Sequence, residues 1–237
     1  RGAIQATGVT FTALDTADGW SGIDFLNYAD DDNSTLDNCI IEYAADGIYC
    51  ASASPTITNS TIRNNTDGIE ADASSQPTIT GNTFTGNTRP VSIYANRIRN
   101  NIDGNTLSNN TKNFIEVQNA TLDEDLTYVW GNAGAPYLIS SDLYVRRDNN
   151  SSHISTLQIA SGATVKFKNG IDLFIGGSST NYKGALTATG VTFTSLDSTG
   201  WNGIRFYNYA DDASCLLDSC VIENAVNGIK CESVNPT

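Results

Sequence analysis

Ile57-Thr58-Asn59-Ser60-Thr61-Ile62-Arg63-Asn64-Asn65-Thr66-Asp67-Gly68-Ile69-Glu70-Ala71 places apolar residues at its first, sixth and thirteenth positions, separated by Asn, Thr and Gly. No helical period runs through it. Short β-branched pieces punctuated by turn formers predict strands of three to five residues joined by bends. The frame recurs from Leu36, Ile79 and Ile102, each step one position longer than the last. Ile79, Phe84 and Val91, then Ile102, Leu107 and Phe114, fill the same apolar positions. A unit this short buries its apolar face only against copies of itself, which makes a solenoid. The expected fold is an all-β parallel solenoid with coils of about 21–24 residues, a period in the range of known repeat architectures. Stacked at ~4.8 Å, residues 1–237 would form one continuous body of roughly ten to eleven coils. Gly47, Gly68 and Gly228 share position 12, where a corner with positive φ is expected. Asn64, Asn109 and Asn224 share position 8, where stacked amides could bond along the rod.

A longer repeat encloses the short one. Gly2 to Thr56 returns as Gly184 to Thr237, with 33 identities over 54 aligned pairs. The offset from Cys39 to Cys220 sets this long period at roughly 181 residues, a module rather than a single coil. The module boundary reads near residues 121–126, so that 1–120 closes one module and 121–237 opens the next.

These coils resemble the right-handed parallel β-helix repeats of secreted and surface proteins, including pectate-lyase-like enzymes and NosD-like proteins. Residues 126–201 resemble modules repeated in large extracellular bacterial and archaeal proteins. The pattern is filled by Trp130, Pro136, Tyr137, Leu157, Ile159, Gly162, Val165, Phe167, Phe193, Thr194, Ser195, Trp201, Gly203 and Ile204. The resemblance implies a right-handed helix and is nearly silent on activity, since one fold hosts many functions.

Thirteen basic against 26 acidic residues give a net charge of −13, which speaks against nucleic acid and anionic membrane surfaces as partners. No apolar run approaches the ~18 residues of a membrane span, so membrane insertion is not expected. There is neither a signal peptide nor a methionine, so the chain reads as processed or as part of something longer. Neither end reads as capped. The expected partners are therefore copies of the chain, or further modules of the same polypeptide, joined through the β-helix ends. Carbohydrate is the other candidate partner. Asn-X-Ser/Thr sequons at Asn33, Asn59, Asn64, Asn109, Asn119, Asn149 and Asn150 are candidate glycosylation sites, and fit an extracellular or cell-surface location.

Cys39 and Cys50, and likewise Cys220 and Cys231, lie half a coil apart at matching repeat positions. In an oxidising setting each pair is read as a disulfide across the lumen, the alternative being four small core residues. Cys215 has no partner. A zinc site is not expected, because no CxxC occurs.

His153 lies in a polar loop, and no serine has nucleophile-elbow surroundings. Asp24, Glu42, Asp46, Glu70 and Asp72 could supply acids for polysaccharide chemistry, with Arg63 or Arg205 as base or clamp. The duplication argues against that: Asp24 is matched by Arg205, Asp46 by Asn227 and Tyr49 by Lys230. No catalytic residue and no required cofactor are assigned. Asp30-Asp31 and Asp211-Asp212 persist in both copies and could bind calcium, the alternative being a solvated acidic turn. Trp20/Trp201, Phe25/Phe206 and Tyr28/Tyr209 read mainly as packing aromatics. The expectation is a non-enzymatic structural or adhesive segment of a stalk, sheath, surface layer or filament. A polysaccharide-binding or polysaccharide-cleaving module is the alternative.

Overall fold

The computed structural model describes residues 1–119, 121–147 and 153–233. The chain is a parallel β-solenoid of about eight turns. Its described helical content is three single 3-10 turns, Asp31–Asn33, Ala95–Arg97 and Asp212–Ser214. It divides into two compact units: Arg1–Arg97 with Asn101–Glu116 and Ala133–Ala135, and Ile98–Asn100 with Val117–Asn132 and Pro136–Thr237.

In the first unit the strands lie on three faces. Gln5–Thr7, Thr35–Asp37, Thr56–Thr58, Thr78–Thr80 and Ile102–Asp103 form one parallel sheet. Thr10–Phe11, Ile40–Glu42, Thr61–Arg63, Thr83–Thr85 and Thr106–Ser108 form the second. Ile23–Phe25, Asp46–Cys50, Asp67–Ala71 and Arg89–Tyr94 lie on the third. Leu36 pairs with Ile57, Ile57 with Ile79 and Ile79 with Ile102, so the steps of the sequence frame are the coil lengths. Leu36, Ile41, Ile48, Ile57, Ile62, Ile69, Ile79, Phe84 and Val91 are all fully buried. Each contributes about 1.5–3 kcal/mol of hydrophobic stabilisation. In the fourth repeat Ile115, one position beyond the expected Phe114, takes the fully buried place, because Phe114 stays half-buried.

Each bend combines two adjacent residues with different tasks. Asn38, Asn59, Gly81 and Gly104, and Tyr43, Asn64, Gly86 and Asn109, adopt left-handed φ values between 51° and 71°. Asn and Gly tolerate this region best. The next residue turns inward. Asn65 Nδ2 donates to Asn87 Oδ1 at 3.1 Å, and Asn87 Nδ2 to Asn110 Oδ1 at 3.0 Å. The stacked amides are thus Asn65, Asn87 and Asn110, not Asn64 and Asn109, which are exposed corner residues. Asn224, φ 54°, is a corner residue as well. The glycine expectation also changes. Gly47, Gly68 and Gly228 do not have positive φ. At Gly47 and Gly68 crowding is the reason: a Cβ on Gly68 would lie 2.4 Å from the Pro90 carbonyl oxygen, and one on Gly47 2.7 Å from that of Gly68.

The second unit has the same three-faced plan with longer coils. Leu157 pairs with Leu186, Leu143 with Leu173 and Leu173 with Ile204, each a longer step than any between Leu36 and Ile102. Longer coils are why about eight turns form rather than ten to eleven. Trp130, Tyr137, Phe167, Phe193, Trp201 and Phe206 are fully buried. The Phe167 and Trp201 rings stack at 4.2 Å, and Tyr137 donates its hydroxyl to the Gly131 carbonyl at 2.9 Å.

The expected disulfides are not formed: Cys39, Cys50, Cys220 and Cys231 are free thiols, as is Cys215. The reason is where the sulfurs sit. Cys39 occupies the ladder position of Ser60 and Asn82, with Sγ turned along the stack to the Ala6 and Asp37 carbonyls at 3.5 and 3.3 Å. Cys220 does the same toward Ala188 and Asp218, at 3.4 and 3.5 Å. Cys50 ends a strand of the third face, in register with Phe25 and Ala71. Cys231 is exposed.

Candidate functional site

On the third face of the first unit, position 11 of successive coils carries Asp46, Asp67, Arg89 and Lys112. Position 14 adds Glu70 beside Tyr49. Arg89 is the hub. Its Nε lies 2.7 Å from Asp67 Oδ1 and its Nη2 2.9 Å from Asp67 Oδ2, a bidentate pair. Nη2 also reaches Glu70 Oε2 at 2.7 Å, and Nη1 lies 3.7 Å from Glu116 Oε2. Lys112 Nζ approaches the same Glu116 oxygen at 3.5 Å.

Burial shapes the acidity of this cluster. Desolvation, reinforced by the charges of Asp67 and Asp24, raises the Asp46 carboxyl above its ordinary range. Desolvation likewise raises Glu70, with Arg89 opposing it. Desolvation pulls Arg89 down, but its hydrogen bond to Asp67 and the surrounding carboxylates carry it above its usual value. The carboxylates of Asp46, Asp67 and Glu70 approach within 4.8 Å of one another, close enough to ligate one hard cation. The Arg89 guanidinium already supplies positive charge to two of the three.

The acids named from the sequence are thus partly brought together. Asp46 and Glu70 join the cluster. Asp24 stays exposed, in register with Tyr49. Glu42 is buried against Arg63, Oε2 to Nε at 2.7 Å. Asp72 is raised by burial, but hydrogen bonds from Ser75 and from the Ser52, Ser74 and Ser75 amides outweigh this and lower it. Arg205, in the second unit, lies 3.9 Å from Asp172 and over the Phe174 ring. Asp67, Arg89 and Glu116 escape the sequence reading, although Asp67 and Arg89 share the repeat position of Asp46.

Asp30 and Asp31 start a 3-10 turn: Asp30 Oδ2 accepts from Asn33 Nδ2 at 2.9 Å, and its carbonyl from Ser34 Oγ at 2.7 Å. Asp211 and Asp212 start the matching turn in the second unit. Neither pair belongs to a group of three potential metal ligands among the described residues. His153 Nδ1 pairs with Asp125 Oδ2 at 2.5 Å. Asn33, Asn59, Asn64, Asn109 and Asn119 are exposed, while Asn149 and Asn150 lie outside the described residues. Phe25, Phe206 and Trp201 are buried, and the Trp20 and Trp201 indoles donate to the Glu42 and Glu223 carbonyls at 2.8 and 3.0 Å.

The second unit carries an aromatic column in which Phe174 is buried between half-buried Tyr144 and Tyr207. Tyr144 stacks on Phe174 at 4.8 Å and Phe174 on Tyr207 at 5.6 Å. Arg146 covers Tyr144 at 4.6 Å and Arg205 covers Phe174 at 5.4 Å. Among the described residues no helix is long and apolar enough to cross a membrane.

A family model described as the right handed beta helix region matches residues 4–150. Searches of curated proteins and of solved structures found no match.

Proposed function

From a chain that belongs to the right-handed β-helix family, we propose a structural module of an extracellular or cell-surface scaffold that joins its neighbours through its ends and is not a catalyst. The observation that carries this reading is the contrast between packing and charge across the duplication. Phe25 and Phe206 are buried alike, and the two indoles donate to equivalent glutamate carbonyls. Outward positions, by contrast, exchange Asp24 for Arg205, Asp46 for Asn227 and Tyr49 for Lys230. The coil is what the repeat keeps, and a backbone ladder running from coil to coil suits a load-bearing role. Electron microscopy of the undenatured protein tests it: filaments or sheets are expected, whereas discrete short rods would withdraw support.

The aromatic column favours a second reading, a module that binds acidic polysaccharide. Tyr144 and Tyr207, half-buried on either side of the buried Phe174, offer aromatic surface for sugar rings, and Arg146 and Arg205 offer charge to uronate carboxylates. Retention on immobilised polygalacturonate that Tyr144→Ala abolishes would support it. Release of unsaturated sugars would make the module an enzyme instead.

A further inference from the structure

Asn-Gly occurs three times, at Asn169-Gly170, Asn202-Gly203 and Asn227-Gly228. The pair carries latent chemistry. The glycine amide nitrogen can attack the asparagine side-chain carbonyl carbon and close a ring, and glycine has no Cβ to obstruct the approach. The third pair lies in the coil where the described residues end, so the comparison is between the first two.

Asn169 and Gly170 form the outer part of the turn that joins the strands Thr164–Phe167 and Asp172–Ile175. Both residues are exposed. The Ile171 amide closes the turn on the Lys168 carbonyl at 3.4 Å, and Gly170, with φ 73°, occupies the glycine position of a type II turn. A Cβ at Gly170 would meet nothing within 4 Å, so this backbone can rotate without collision. The Gly170 amide, the nucleophile, has no protein acceptor among the described residues. The Asn169 side chain donates from Nδ2 to the Thr199 carbonyl at 3.4 Å, longer than an ordinary hydrogen bond.

Asn202 shares the dipeptide and is restrained where Asn169 is free to move. Its Nδ2 donates to the Gly170 carbonyl at 2.7 Å and to Asp172 Oδ2 at 2.6 Å. Gly203 opens the strand Gly203–Phe206, in register with Asp172, and a Cβ on it would lie 1.6 Å from the Asn227 carbonyl oxygen. To cyclise, Asn202 must release a charge-assisted hydrogen bond and Gly203 must leave a crowded ladder.

We propose that Asn169 is a site of spontaneous deamidation in the folded protein, and that Asn202 is spared until the chain unfolds. The Gly170 nitrogen bonds to Asn169 Cγ and gives up its proton, the Cγ–Nδ2 bond breaks, and Nδ2 leaves as ammonia. Water then opens the succinimide at either carbonyl, giving aspartate or isoaspartate with one new negative charge. No other reagent is consumed. The donation to Thr199 is replaced by repulsion between a carboxylate and a carbonyl. Isoaspartate also lengthens the backbone beside Gly170, whose carbonyl anchors Asn202. The modification therefore loosens the tie between the 168–171 turn and the next coil.

Incubation of the folded full chain at mildly alkaline pH, followed by peptide mass spectrometry with fragmentation, tests this. The peptide containing Asn169 should gain one dalton at that residue and resolve into aspartate and isoaspartate forms. It should convert at least about tenfold faster than Asn202, the factor that releasing one charge-assisted hydrogen bond imposes. In denaturant the two sites should convert at comparable rates. Aged chain should melt at a lower temperature than fresh chain. Asn169→Gln, whose longer side chain disfavours the ring, should keep its mass at that residue and lose less Tm over the same interval. Equal conversion of both sites in the folded chain, or Asn202 reacting first, would overturn the proposal. So would an Asn169 that stays intact in the folded chain while it converts in denaturant.

Discussion

Asn87 Nδ2 donates to Asn110 Oδ1 at 3.0 Å, and that same oxygen accepts the Asn87 backbone amide at 2.9 Å. Asn87 in turn offers its Oδ1 to the amide and the side chain of Asn65, and its Nδ2 to the Ile62 carbonyl at 2.9 Å. It is almost fully buried, so truncation leaves several interior polar groups without partners. Asn87→Ala should cost about 2–4 kcal/mol, since each stranded group costs about 1–3 kcal/mol. Asn64→Ala, at an exposed corner with φ 56°, should cost only about 1 kcal/mol from backbone strain. Chemical denaturation of both variants checks the order. Equal losses would mean that the ladder is not the stabilising element.

The one-position offset between Asn64 and Asn65 marks the limit of what the sequence can reveal. The frame of Ile57, Ile62 and Ile69 and its steps are legible, because burial on one side of a short strand imposes a strict pattern. At the bends, two adjacent asparagines offer identical chemistry. Only backbone geometry decides which adopts the left-handed region and which turns inward. Gly68 looks like a corner glycine but is required by the approach of Pro90, a contact made from the next coil. The longer coils after Val117 show no short self-similarity, so their length could not be counted in advance. Asp46, Asp67 and Arg89 share one repeat position, but only Asp46 lies inside the duplicated stretch, so comparing the two copies is silent on Asp67 and Arg89.

Asp46 gives the site a pH signature. Burial, with the charges of Asp67 and Asp24, raises its folded-state pKa above the ordinary 3.8. The folded chain therefore holds this proton more tightly than the unfolded one. The associated stability is complete below the unfolded value and is lost as pH rises through the folded value. At neutral pH the ionised carboxylate is a net cost. Asp46→Asn should raise Tm at about pH 7 and leave it unchanged at about pH 3, where both side chains are neutral. An equal rise at both pH values would assign the effect to packing rather than to charge.

The five thiols should react in an order set by exposure and thiolate fraction. In the single chain Cys231 is exposed and Cys220 half-buried, so these are alkylated first. Burial pushes the Cys215 thiol up to about 11, and raises that of fully buried Cys50 still further. Both should resist until the chain unfolds. Mass spectrometry after alkylation in denaturant, with no reductant, should then count five modified cysteines. A count of three or one would restore one or both of the half-coil disulfides.

Gly68 and Gly104 separate crowding from backbone strain. A Cβ on Gly68 would sit 2.4 Å from the Pro90 carbonyl oxygen and 3.2 Å from Phe84 Cδ1, with backbone on one side and a fully buried ring on the other. Neither neighbour can move without disturbing the coil above, so Gly68→Ala should cost about 1–3 kcal/mol or more. Gly104 has open space around its Cβ but a φ of 61°. Gly104→Ala should therefore cost about 1 kcal/mol, the usual penalty for a side chain in the left-handed region. Asparagine, which tolerates that region, should recover most of the loss at 104 and none at 68. Thermal melts of the four variants decide the matter, and recovery by asparagine at position 68 would refute the crowding argument.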